Sequence, residues 1–71
     1  MKANIRLDTM RDVNEFVSIC TSVTSAVHIT DGRGLRVSAK SVIGAIYAME
    51  FDELWCECDT DIYHEIERFV I

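Results

Sequence analysis

The sequence predicts an α+β fold in which four strands form one antiparallel sheet and three helices cover one face of it. Two hydrophobic repeats support this fold class. Short segments alternate apolar and polar residues, as half-buried strands do, and longer segments place apolar residues three or four positions apart, as amphipathic helices do. The turn Asp31-Gly32-Arg33-Gly34 adds a hairpin between two strands. The predicted order is therefore βαββαβα, an open-faced β-sandwich.

The first strand and the first helix are the earliest predicted elements. Residues 3–7 alternate apolar and polar side chains, which predicts a half-buried strand. We expect a helix to begin at Asp12, with Glu15 as its capping-box partner three positions on. The Ser- and Thr-rich run at 21–25 weakens the helix and ends it. The apolar stripe of this helix consists of Val13, Phe16, Val17, Cys20 and Val23.

A hairpin and a short second helix are predicted next. The hairpin joins strands at 26–30 and 35–39, which alternate on either side of the glycine-containing turn. Leu35, Val37 and Ala39 are expected to share one side of the second of these strands. The helix is expected to begin at Ser38 or at Lys40-Ser41 and to end near residue 49. Its apolar residues at helical spacing are Val42, Ile43, Ile46 and Tyr47.

The last strand and the last helix are predicted after residue 52. Residues 53–59 alternate, so that one side of the strand carries Leu54, Cys56 and Cys58. Thr60 or Asp61 is expected to cap the final helix. The buried face of that helix is predicted to consist of Ile62, Ile66, Phe69 and Val70.

Size and charge limit the function classes. The 71 residues carry a net charge of −5 and are expected to form one domain, residues 1–71. Residues 50–71 hold eight acidic residues and one basic residue, Arg68. This distribution argues against general nucleic-acid binding, which needs a broad basic face.

The sequence also predicts the cellular setting. No apolar run approaches the roughly 20 residues of a membrane span, so no membrane association is expected. Residues 1–4 contain no apolar core of signal-peptide type. Three cysteines without framework spacing are most simply reduced thiols. We therefore expect a cytoplasmic location.

One segment resembles a known family. Residues 37–44 read Val-Ser-Ala-Lys-Ser-Val-Ile-Gly. They are similar to the passage from the third strand into the second helix of the HPr family, the phosphocarrier proteins of the sugar phosphotransferase system. The predicted element order and length are also similar to that family. The resemblance implies an HPr-like fold and a link to sugar transport.

The resemblance also identifies a missing side chain. In the family, a Gly-x-His-x-Arg-Pro pattern follows the first strand, and its histidine carries the phosphate. The matching places Thr9 at the histidine and Arg11 at the arginine, while Asp12 replaces the proline and the glycine is absent. A one-residue shift would place Met10 at the histidine instead. A threonine phosphate is an ester too stable to be relayed, and the carboxylate of Asp12 would repel it.

The resemblance therefore implies a protein-binding or regulatory module with no catalytic residues and no enzymatic activity. Its partners would be proteins, such as phosphotransferase components or a transcriptional regulator. The binding surface is expected to include Arg11, Lys40, Ile43 and Ile46, around Thr9 and Ser41, with Ile43 pointing outward. Ser41 matches the serine that a dedicated kinase phosphorylates in many relatives, although a capping role also accounts for it.

Other readings stay open. The chain could be a working phosphocarrier with a displaced acceptor, a regulator phosphorylated at serine, or a structural oligomerisation domain. No cofactor or metal is predicted, because Cys20, Cys56 and Cys58 are expected to be core residues. His28 and Trp55 are expected on the open face of the sheet, as a contact surface or as packing over neighbouring strands. His64 is expected to be solvated.

Overall fold

The computed structural model describes all 71 residues and confirms the predicted fold class. Four antiparallel strands form one open sheet, and three helices accompany it. None of the helices has the length and apolar character that a membrane crossing requires. In chain order, the elements are β1 (Lys2–Ile5), α1 (Met10–Thr21), β2 (Val27–Thr30), β3 (Arg36–Ser38), α2 (Val42–Ala48), β4 (Leu54–Cys58) and α3 (Tyr63–Ile66), followed by one 3-10 turn (Glu67–Phe69).

The sheet has the strand order β1-β4-β2-β3, and every neighbouring pair is antiparallel. Ile5 at the end of β1 lies opposite Leu54 at the start of β4. Ser38 at the end of β3 lies opposite His28 in β2. Three antiparallel pairings in succession make β1 and β3 run in opposite directions. The two helices that follow these strands therefore start at opposite ends of the sheet.

The hydrophobic core lies between the helices and one face of the sheet. It is a single cluster of 17 buried residues. Phe16 of α1 is completely buried, and its ring meets the edge of the Phe69 ring at 5.3 Å between centroids. The alternation of β4 places three of its side chains in this core, as the sequence predicts. They are Leu54, Cys56 and Cys58.

The N-cap of α1 lies three residues earlier than predicted. Thr9 is its N-cap, and the Thr9 Oγ1 accepts a hydrogen bond from the backbone N–H of Asp12 at 3.1 Å. The Asp12 carboxylate reaches back and accepts from the N–H of Asp8 at 3.0 Å. The prediction that Asp12 caps the helix is therefore wrong. Thr9 is the N-cap, and Asp12, three positions later, takes the place in the capping box that was predicted for Glu15. Glu15 instead lies in the second turn, where it pairs with Arg11.

The third strand is also shorter than predicted. The hairpin turn is present, with positive φ at Gly32 and Gly34 (78° and 116°). The Asp31 carboxylate accepts hydrogen bonds from the N–H groups of Arg33 and Leu35. This turn includes Leu35, so its side chain is exposed rather than inward. Ala39 is buried as predicted.

The last helix is interrupted before Val70. α3 has four residues, and residues 69–71 then run alongside β1. Val70 forms a β-bridge with Ile5, and the Ile71 N–H donates to the Asn4 carbonyl at 3.0 Å. On the same side, the Arg6 N–H donates to a carbonyl of this segment at 2.9 Å. The prediction of a helix through Val70 is therefore wrong. Val70 lies alongside β1 instead, and these hydrogen bonds cover the outer edge of that strand.

Candidate functional site

The start of α1 is the first candidate position, because Thr9 stands there in place of the histidine that the resemblance implies. The Thr9 hydroxyl is engaged in capping the helix. The guanidinium of Arg11 is largely exposed and donates to the Glu15 carboxylate at 3.0 Å. Glu15 also pairs with Arg68. Arg11 is thus held along the side of α1 by Glu15.

The surroundings of Thr9 are acidic. Asp8 and Asp12 lie on either side of it, and the carboxylate of Asp8 pairs with Arg6 at 3.1 Å. A neighbouring cavity of about 290 Å³ is lined by Arg6, Asp8, Asp12 and Arg68 among others. A phosphate at this position would therefore meet two carboxylates, and the neighbouring arginines are already paired.

Neither histidine reaches the start of α1. His28 lies on the open face of the sheet, with its Nδ1 3.2 Å from the Arg36 guanidinium. His64 is almost completely exposed on α3, and its nearest charged partner is Glu67 at 3.8 Å. No imidazole therefore contacts Arg11.

The start of α2 is the second candidate position. Ser41 is the N-cap, and its Oγ accepts a hydrogen bond from the Gly44 N–H at 3.0 Å. A Cβ at Gly44 would lie 3.1 Å from the Ser38 carbonyl oxygen, so glycine permits the close approach of α2 to β3. Ser41 is half-buried in this cap. Phosphorylation of Ser41 stays a prediction.

The structure does not bring Thr9 and Ser41 together. Lys40 is half-buried, and its Nζ donates to the carbonyl of Val23 at 2.6 Å, just beyond the end of α1. The start of α2 is thus fixed at the far end of α1 from Thr9. The 12 residues of α1 span about 18 Å. Arg11 and Lys40 consequently lie near opposite ends of α1.

An exposed apolar surface on α2 is the most distinctive feature near the second candidate position. Eight large hydrophobic residues of the chain are exposed, and four of them belong to this seven-residue helix. Ile43 has the highest exposure, 81 %, which confirms the prediction that it points outward. We call the surface formed by these four residues the α2 face. Its members are Val42, Ile43, Ile46 and Tyr47.

The α2 face is continuous and uncharged. Ile46 follows Ile43 by three positions and Val42 by four, and Tyr47 follows Ile43 by four, so these side chains are neighbours on the helix surface. No residue from 41 to 49 carries a charge. From the exposed fractions of its four residues, the face amounts to about 450 Å², the size of the largest apolar patch on a typical monomer, which is often functional.

The small residues of α2 explain why the large ones are outside. Ala45 and Ala48 are completely buried, and Gly44 faces β3. This close packing leaves no space for the larger side chains on the inner side of the helix. Val42 and Tyr47, which the sequence placed only in an apolar repeat, therefore belong to the exposed surface. The signal that identifies them is the spacing of glycine and alanine.

The open face of the sheet forms a second, polar surface. Trp55 is half-buried there, and the Lys2 Nζ lies 5.3 Å from the centroid of its ring. Lys2 and Arg36 each lie 3.8 Å from the Glu57 carboxylate, and His28 is adjacent to Arg36. The prediction that Trp55 and His28 share this face is confirmed. Its opposite charges lie close together, and this surface offers no separate anionic or cationic site.

The three cysteines are free and buried in the core. Burial is the main reason that the pKa of Cys20 is raised from 9.0 to about 12, and the nearby Cys56 and Cys58 contribute to this rise in the same direction. Burial also raises the pKa of Cys56 to about 12. Cys20 and Cys56 are therefore protonated, unreactive thiols at neutral pH. No three His, Cys, Asp or Glu side chains lie where they could hold a metal ion together.

Comparison with known proteins adds no assignment to this geometry. The chain matches no family model, no curated protein and no solved structure. The relationship to the HPr family that residues 37–44 suggest therefore stays a prediction.

Proposed function

We propose that this chain is a protein-binding or regulatory module that docks a partner protein on the α2 face and relays no phosphate. The main observation that supports this proposal is that half of the exposed large hydrophobic residues lie on one short helix. Covering an apolar surface of this size removes it from water and therefore contributes a favourable free energy to binding. The uncharged stretch 41–49 suits the water-excluded centre of an interface, where charged residues are depleted.

The groups near Thr9 support the absence of relay chemistry. Relay needs a phosphoramidate that transfers readily, and the residue at the start of α1 is a threonine. Its hydroxyl caps the helix, and Asp8 and Asp12 flank it. Arg11 is engaged by Glu15. These contacts favour a structural role for this helix start over a phosphate site.

The proposal retains the link to the sugar phosphotransferase system. The order of elements and the Lys40-Ser41 start of α2 support an HPr-like module. Suitable partners are then components of that system or a transcriptional regulator. Three free thiols in the core also suit a reducing compartment such as the cytoplasm.

Ile43 is the residue whose loss should matter most for docking. Its side chain is the most exposed of the four, at 81 %, and lies in the first turn of the helix. Central apolar residues of an interface cost about 2 kcal/mol or more when removed. A lysine at this position would also place a charge in the covered area. The variant Ile43→Lys should therefore weaken docking about thirtyfold or more without affecting the core.

Ile71 provides a matched control. It is also an isoleucine and is 72 % exposed, but it lies beside β1 rather than on α2. Wild type, Ile43→Lys and Ile71→Lys should be used as baits in lysate of the native cell, with quantitative mass spectrometry of the captured proteins. A partner on the α2 face is retained by wild type and by Ile71→Lys and lost with Ile43→Lys.

The captured protein should then be purified and its affinity measured by calorimetry with the same three variants. The proposal predicts that only Ile43→Lys loses affinity. Equal binding by all three variants would place the contact elsewhere on the molecule. Equal loss in both lysine variants would show a general effect of the added charge.

A further inference from the structure

We infer that the α2 face is also the surface on which two copies of this chain associate, in a weak antiparallel dimer that hides the face when no partner is present. This inference rests on the proposed function in treating the α2 face as a docking surface, and it adds a second copy as an occupant. The features that support it are the absence of charge on the helix, the charges at its two ends, and its area.

The α2 face is suited to contact with itself. Residues 41–49 carry no charge, so two such helices meet without repulsion at their centre. A two-fold axis near the middle of α2 would place Ile43 of one copy against Ile46 of the second. It would place Val42 against Tyr47 in the same way. Such self-complementary contacts are typical of closed dimers.

The charges at the two ends of the helix select the antiparallel arrangement. Lys40 precedes α2 and Glu50 follows it, and Glu50 is exposed with no salt bridge. In an antiparallel pair, Lys40 of each copy lies near Glu50 of the other. A parallel pair would bring like charges together. The ammonium of Lys40 uses one donor on the Val23 carbonyl and retains two others.

The area of the face determines how strong this association is. Two α2 faces together bury at most about 900 Å². Stable interfaces bury about 1,200–2,000 Å², so the dimer lies below that range, among weak and transient associations. We therefore expect a dissociation constant between about 10 µM and 1 mM, with rapid exchange. A dimer of this strength yields to any partner that binds more tightly.

Sedimentation equilibrium from about 10 µM to about 1 mM tests the inference. The average mass of wild type should rise with concentration from 8.1 kDa toward twice that value. The variant Ile43→Lys should raise the dissociation constant about tenfold or more, and Ile46→Lys should do the same. Ile71→Lys should leave it unchanged. Circular dichroism of each variant verifies that it is folded.

The variant Glu50→Lys tests the orientation of the two helices. It should weaken the dimer, and the effect should shrink as salt screens the new repulsion with Lys40. An unchanged or stronger dimer would refute the antiparallel arrangement. A constant mass of 8.1 kDa up to about 1 mM, an equal effect of Ile71→Lys, or growth beyond a dimer would each refute the two-fold association. A monomeric wild type that still captures a partner only through Ile43 would leave the proposed function intact.

Discussion

The buried thiols should make this protein sensitive to alkaline pH. Cys20 and Cys56 have a pKa of about 12 in the folded chain, because burial disfavours the thiolate, compared with an ordinary value of 9.0. Below pH 9 both the folded and the unfolded chain hold these protons, so the thiols contribute no pH dependence. Between pH 9 and 12 the unfolded chain releases them and the folded chain retains them. The free energy of unfolding therefore falls as the pH rises through this range.

The expected loss is a large part of the total stability. Each thiol contributes a slope of about 1.4 kcal/mol per pH unit, so the two together remove about 5 kcal/mol between pH 9 and pH 11. A chain of 71 residues has a total stability of about 4–11 kcal/mol. We expect most of the stability to be lost before pH 12.

Urea unfolding at several pH values, followed by the fluorescence of Trp55 under reducing conditions, measures this slope. The single variants Cys20→Ala and Cys56→Ala should each reduce the slope by about 1.4 kcal/mol per pH unit. Both alanine variants lose some stability at neutral pH through the cavity they create, so slopes rather than absolute values are compared. Other groups that titrate in this range are present in every variant and cancel. A slope that is the same in wild type and in both variants would refute the reasoning.

Two further predictions concern the start of α1. Replacing Thr9 with alanine removes the hydrogen bond to the Asp12 N–H and should lower the free energy of unfolding by about 1 kcal/mol in urea titration, whereas Thr9→Ser should retain most of it. Incubation with enzyme I and phosphoenolpyruvate should add no phosphate, as measured by mass spectrometry of the intact chain. An alkali-stable, acid-labile phosphate on His28 or His64 would contradict the second prediction and revive the phosphocarrier alternative.

The sequence predicts the structure correctly where a residue pattern is compatible with only one local structure. The alternation of apolar and polar residues in β4 predicts a strand with Leu54 and Cys56 facing the core, and the structure contains that strand. The turn at 31–34 contains glycines at the positions of positive φ. Local pattern and final packing agree at these places, so neither required knowledge of distant residues.

The errors arose where two local signals competed or where a distant contact decided the outcome. Thr9 and Asp12 are both good N-caps, and residue preference alone favours Asp12 slightly. The end of the last helix depends on the bridge between Val70 and Ile5, which are far apart in the chain. Propensity within residues 62–70 contains no information about that bridge.

The candidate site was predictable residue by residue but not as an arrangement. The outward direction of Ile43 follows from the length and spacing of a short helix. The distance between Thr9 and Ser41 follows only from the directions of β1 and β3, which the strand order fixes. The predicted contact residues therefore lie in two separate regions, one at each end of α1.

The segment that runs beside β1 also affects whether the sheets of different molecules can join edge to edge. Hydrogen bonds from Arg6 and Ile71 occupy the outer side of that strand, so β3 is the sheet's remaining free border. β3 is three residues long and carries Arg36, and short, charged borders are poor templates for adding strands from other molecules. A chain that is 49 % hydrophobic is thereby protected from fibrillar growth along its sheet.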